Sequence, residues 1–138
     1  MQPTTATTEA QMAHLRAAND GNPIAITNLL KFHAKAQYPS DAKEAALSLS
    51  GREAYRLYAK EFVALIAEYG GTTVYWGDAV GYAIGIGDWD AVWINRFPNL
   101  DAVKHASADP RYAIMHRHRE AGLHHQHAII TRPDPVAG

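Results

Sequence analysis

Three histidines crowd the last apolar stretch of the chain: His124, His125 and His127. Imidazole is the side chain whose charge changes nearest neutral pH, which makes it the default general base and a common metal ligand. On a strand, alternate side chains share a face, so His125 and His127 point one way and His124 the other, with Gln126. Two same-face imidazoles suit two roles. In one, His125 or His127 is a catalytic general base. In the other they are two ligands of a divalent cation, and a third must come from elsewhere. His116, His118, Glu120, Asp88 and Asp90 supply it only if the fold brings them near. No HExxH signature supports such a site, so no metal ligand is assigned. Partly exposed histidines at a helix–strand corner are the plain alternative. His116 and Glu120, four residues apart, are placed to pair on one helix.

Two polar residues stand inside apolar strands, Asn28 and Arg96. If both face one interior, they are the convergent polar groups of an apolar pocket. Arg96 would then hold a carboxylate or enolate oxygen by a bidentate contact, and Asn28 would help stabilise a developing oxyanion. Alternatively, Arg96 pairs with Asp88, Asp90 or a residue of a second copy. If Arg96 lines the pocket, alternation puts Val92 and Ile94 beside it and turns Trp93, Asn95 and Phe97 toward the helices. Trp76 is a further lining candidate. The assigned site is therefore His125, His127 and Arg96 as catalytic residues, with Asn28, Trp76 and Ile94 binding ligand. Tyr55, Tyr58 and Tyr69 follow helical spacing and read as core and rim. No serine occupies a nucleophile-elbow context, which argues against acyl transfer.

These residues are carried by 138 amino acids, enough for one domain with its own core. The absence of cysteine excludes disulfides, thiolate metal sites and thiol nucleophiles. A net charge of −1 gives no electrostatic reason to expect nucleic acid or an anionic membrane. No apolar run reaches the ~20 residues that span a bilayer, and the N-terminus lacks a signal-peptide pattern. The expectation is a cytoplasmic protein. Five of the eight histidines lie between His116 and His127, so the C-terminal third turns positive in mild acid.

The elements that must position the site read as follows. Residues 1–7 are polar and expected to fray. A short helix spans 8–18, with Thr7 or Thr8 as cap, and 20–23 ends it. Strand one covers 24–32. Residues 33–50 form a long loop with a helical turn near 42–47, long enough for a lid or a dimer arm. Ser50 and Glu53 have capping-box spacing and open a helix from Gly51 to Tyr69, stopped by Gly70-Gly71. Residues 72–77 have strand propensity. The run VGYAIGIG at 80–87 is apolar but glycine-broken, a pattern of bulges or close backbone approach. Strand three is 91–97. Asn99 caps a helix to about Ser107, and Asp109-Pro110 starts another that runs to Gly122. The last strand is about 124–131.

The ordered set NLLKF at 28–32, SGREAY at 50–55, GG at 70–71, GDWDAV at 87–92, RFPN at 96–99 and DPRY at 109–112 resembles the domain-of-unknown-function family 1330, of the dimeric α+β barrel superfamily. The resemblance implies an α+β fold: a ferredoxin-like βαββαβ sandwich with an antiparallel sheet. It would occupy residues 23–132, after an N-terminal extension (1–22) and before a flexible tail (133–138). Two such sheets would pair face to face as a homodimer, with a small-molecule pocket inside the barrel. The wider superfamily includes cofactor-free oxygenases and small isomerases, so the resemblance implies no cofactor and proton-transfer, isomerase or oxygenase chemistry if there is a reaction. Non-catalytic ligand binding is the alternative, and histidine-based metal binding a third. Independently of the resemblance, a half-covered sheet would expose Trp76, Trp93 and Val92 or Ile94, which calls for a partner.

Overall fold

The computed structural model describes residues 2–134. Part of the expected tail, 135–138, lies outside the described residues. The elements run α1 (Glu9–Ala18), β1 (Ile24–Phe32), a 3-10 turn (Lys43–Leu47), α2 (Gly51–Ala67), β2 (Thr72–Asp78), β3 (Ala91–Phe97), α3 (Leu100–Ala108), α4 (Pro110–Gly122) and β4 (Leu123–Thr131). The sheet order is β2-β3-β1-β4, and every neighbouring pair is antiparallel. This is the ferredoxin-like βαββαβ arrangement, two split βαβ units sharing one sheet.

Local chemistry starts and stops each helix where the sequence indicates. Thr8 with Gln11 and Ser50 with Glu53 form complete capping boxes for α1 and α2. The Asn99 side chain caps α3, and Asp109 caps α4 with Pro110 in its first turn. Gly70, at φ +82°, turns the chain out of α2 in a conformation only glycine adopts readily. α2 and α4 meet at Gly51 and Gly122, where a Cβ on either glycine would collide with backbone of the other helix or of His33.

The register fixes which residues face the helices. In β1 these are Ile24, Ile26, Asn28, Leu30 and Phe32. Across from them stand Ala91, Trp93, Asn95 and Phe97 of β3, and Gln126, Ala128 and Ile130 of β4. The core is dominated by aromatic rings: Trp93 is ringed by Tyr55, Tyr58, Phe62 and Trp76, with centroids 5.4–6.3 Å apart. Trp76 and Trp93 thus belong to the covered side of the sheet, which corrects their expected exposure. The open side presents Thr27, Leu29, Lys31, Val92, Ile94, Arg96, His125, His127 and Ile129. Tyr75 stands there too, after a bulge between Thr73 and Tyr75.

Two segments are more structured than their sequence suggested. The 33–50 loop is fastened to the end of α4: the His33 amide donates to Gly122 O and the Gln37 amide to Ala121 O, both at 2.8 Å. Glu44 of its 3-10 turn is buried against Arg117. Near the N-terminus, where fraying is expected, Thr4 and Thr5 are tied to the body: the Gln126 amide donates to Thr4 O at 2.9 Å and Arg119 to Thr5 O, so the chain runs along the β4 edge there and blunts it.

Candidate functional site

The six expected site residues divide between the two sides of the sheet. Asn28 and Trp76 face the helices; Arg96, Ile94, His125 and His127 share the open face. Asn28 and Arg96 therefore do not converge, because the even residues of β1 and the odd residues of β3 point to the same, covered side. Nor does Arg96 adjoin the histidines within one chain. It pairs with Ala25 while His127 pairs with Leu29. Four residues along a strand and two strands across is roughly 16 Å.

On the covered side, α1 and the N-terminal segment form one wall of a cavity of about 1220 Å³. The sheet supplies its floor through Ile26, Asn28, Trp93, Asn95 and Ala128; α3 contributes Leu100 and Val103; Tyr55, Tyr58, Phe62 and Tyr112 come from α2 and α4. The space opens to solvent along α1 and the floor residue Ala128, so it is a cleft beneath α1 rather than a sealed void. It matches or exceeds the usual ~300–1,000 Å³ of small-molecule sites.

A chain of hydrogen bonds crosses one wall. Arg119 donates to Gln126 Oε1 at 2.7 Å and to Thr5 O at 2.5 Å. Gln126 Nε2 donates to Asn28 Oδ1 at 2.7 Å, and Asn28 Nδ2 to Trp93 O at 3.0 Å. Asn28 is buried, and this relay satisfies both ends of its amide. Opposite, burial pushes the phenols of Tyr55 and Tyr58 well above their ordinary range, so both remain hydroxyl donors at any physiological pH. The lining thus combines an aromatic and aliphatic side, from the sheet, α2 and α3, with a polar side from the N-terminal segment, α1 and the Arg119–Gln126–Asn28 relay.

α1 covers this space without a buried residue of its own. Its C-terminal end is held by polar contacts: Asn19 to Asp101 at 3.1 Å, Arg132 to Asp20 at 2.8 Å, and Arg132 to Ala18 O at 2.9 Å.

On the open face, Trp89 stacks on His125 with centroids 4.9 Å apart and tilts against His127 at the same distance; the two imidazoles are 4.8 Å apart. These rings, with Lys31, Asp88, His124 and Pro3, line a groove of about 320 Å³. His125 Nδ1 faces the Thr4 backbone, 2.9 Å from its amide nitrogen and 3.2 Å from its carbonyl oxygen. Asp90 pairs with Lys31 at 3.4 Å and accepts from the Phe32 amide, so it does not serve Arg96. His116 pairs with Glu120 at 3.0 Å as their spacing indicates. Among the described residues, no three His, Cys, Asp or Glu side chains are grouped to hold a metal ion.

Arg119, Gln126 and Tyr112 were missed by sequence reasoning. Gln126 was placed opposite His125 and His127, but only the β1–β4 register sets it beside Asn28.

A ferredoxin-like chain with a cleft on the covered side of its sheet defines a fold class that by itself fixes no function. Residues 45–132 match the domain-of-unknown-function family DUF1330, and the chain belongs to that family. No curated protein matches it. It is similar to RPA0582, a protein of unknown function from Rhodopseudomonas palustris, at 27% identity over 96% of this chain and 98% of that one, with a TM-score of 0.84. A protein of unknown function from Bacteroides fragilis, described as dimeric with a ferredoxin-like fold, aligns over 80% of this chain and 96% of that one at 15% identity and TM-score 0.51. SnoaB, a cofactor-independent oxygenase from Streptomyces nogalater, aligns over 82% and 94% at 15% identity and TM-score 0.50. The last two share the fold alone.

Proposed function

We propose that this chain binds a small, largely apolar and aromatic organic molecule in the cavity beneath α1. The single observation that carries this reading is a space of about 1220 Å³ bounded by aromatic rings and the Arg119–Gln126–Asn28 relay. Rings would pack against the partly exposed Phe62 and Tyr112, and a ligand oxygen would meet Arg119 or a tyrosine hydroxyl. The test fills the space. The unaltered chain should bind the aromatic anionic dye anilinonaphthalene sulfonate with an enhanced, saturable fluorescence, and Ala128→Phe, on the cavity floor, should weaken that binding. Equal binding by both chains would reject the site.

The protein works, on this reading, as a homodimer joined through the open sheet face. Tyr75 and Ile129 are 56% and 52% exposed there, beside Leu29, Val92 and Ile94, and such a patch marks an interface.

A second reading, cofactor-free proton transfer on the open face, is favoured by the packing of His125 and His127 against Trp89. His125 or His127 is then the base, and Arg96, on the same face, holds an anionic group of a ligand long enough to reach it. Asn28 takes no part in that chemistry, since it faces the cavity. In this case turnover disappears in His127→Ala and Arg96→Ala while dye binding persists.

A further inference from the structure

Between β2 and β3 the chain leaves the sheet as an arm, residues 79–90, whose apolar side chains stand in solvent. Val80, Ile84 and Ile86 are 103%, 93% and 101% exposed, and Tyr82 is 44% exposed. They alternate with Gly81, Ala83, Gly85 and Gly87. Single exposed apolar residues are ordinary; four alternating ones on a single arm form a patch that marks an interaction site.

The arm is held in shape. Its base is closed by the Ala79 amide donating to Asp90 O at 2.9 Å and the Asp90 amide donating to Leu30 O at 2.8 Å. The Asp90 carboxylate accepts from the Phe32 amide and pairs with Lys31. Nearer the tip, the Trp89 amide donates to the Tyr82 hydroxyl at 2.8 Å, and Gly85 turns the chain at φ +79°. Anchors at both ends thus present an uncharged apolar tip rather than leave it to collapse onto the body.

The arm is continuous with the open sheet face, because Trp89 at its base lies on His125 and His127. Two sheets packed face to face sit about 10 Å apart. An arm six residues long from base to tip reaches roughly 20 Å, enough to cross that gap. Residues 79–87 include no charged side chain, so the tip offers nothing to a lipid headgroup or a phosphate and suits an apolar protein surface. We propose that the 79–90 arm of one protomer docks on the open sheet face of a second copy of this chain. This rests on the homodimer reading above and adds the element that fastens it.

The test uses the full chain. The triple variant Val80→Ser, Ile84→Ser, Ile86→Ser alters side chains that support nothing within the protomer, so its circular dichroism should match the unaltered chain. Its dimer dissociation constant, by sedimentation, should rise at least 100-fold. Because the chain has no cysteine, Ile84→Cys gives a clean second readout. Its thiol should be alkylated at least 10-fold more slowly in the dimer than Leu47→Cys, at a position 62% exposed on the 3-10 turn. A dimer unaffected by the triple change, with equal alkylation rates, overturns the arm and leaves the dimer standing. An unaltered chain that is monomeric at 100 μM overturns both. Loss of binding to phosphatidylcholine vesicles in the triple variant, with the dimer intact, assigns the arm to a membrane and overturns the proposal.

Discussion

Asn28 shows how one polar residue can organise an apolar wall. Its amide accepts from Gln126 and donates to Trp93 O, and Gln126 in turn is held by Arg119. Truncating it removes the acceptor of the partly buried Gln126 amide and one donor to Trp93 O, a loss of about 1–3 kcal/mol when nothing replaces the partner. Asn28→Ala is accordingly expected to lower unfolding free energy by roughly that amount in denaturant melts, and to weaken dye binding. A second residue-scale prediction concerns pH. Burial, followed by the neighbouring Arg117 charge, lowers the pKa of His118 below its ordinary 6.5, and burial also lowers those of His33 and His116. His118 Nδ1 lies 2.6 Å from the Tyr38 hydroxyl. The folded chain holds these rings neutral while the unfolded chain takes up protons below pH 6.5. The stabilisation is therefore complete above 6.5 and is lost as pH falls toward the lowered folded values. Melting temperature should drop from pH 7.5 to 5, and the drop should be smaller in His118→Gln; parallel curves would refute the assignment. At lower pH, the Arg117 guanidinium holds the Glu44 carboxyl at about 2. Its share of stability is present above the ordinary 4.5 and disappears as pH falls through 2, so Glu44→Gln should be less sensitive across that window.

The elements divide into a rigid pair and a cover. α2 and α4 touch backbone to backbone at Gly51 and Gly122, and neither glycine can gain a methyl without separating the helices. Overpacking a close contact costs about 1–3 kcal/mol, so Gly122→Ala is expected to destabilise the whole domain by at least the middle of that range. α1 should behave differently. It buries no residue and is held by its capping box and polar ties. Thr8→Ala, which removes the cap at about 1 kcal/mol, should speed amide exchange in residues 9–18 with little change in global unfolding. Much of this was legible in the sequence: the capping residues, β1 and β3 coincide with their expected limits because short-range chemistry sets them, whereas α2 ends at Ala67, two residues before the expected Tyr69. The site was legible only in part. His125 and His127 share a face as alternation requires, and Ile94 and Arg96 share it with them. Whether Asn28 joins them depends on pairing register, a non-local property set by turn geometry and by which faces are apolar. The cavity could not be read at all, because it arises where α1, an amphipathically weak helix outside the repeated βαβ pattern, lies over the sheet without filling it.

At the scale of the molecule, the chain is a four-stranded sheet with one side roofed and the other open. Among the described residues, no helix is long and apolar enough to cross a membrane. The roofed side carries the cleft beneath α1; the open side carries the histidines, the apolar patch and the arm. The two functions proposed here, ligand capture and self-association, are thus separated by the thickness of the sheet, and a change on one side should leave the other largely intact. Arg96→Ala, exposed on the open face, should not alter dye binding. Ligand capture beneath α1 is tested most directly by a side-chain amide and indole NMR titration with a panel of small aromatic acids and phenols. Binders in the cleft are expected to shift the Asn28 and Gln126 amide resonances and the Trp93 indole together, with the same dissociation constant and a weakened response in Ala128→Phe. Binders that shift only resonances of the open face, such as the Trp89 indole, would contradict it and place the ligand site on the other side of the sheet.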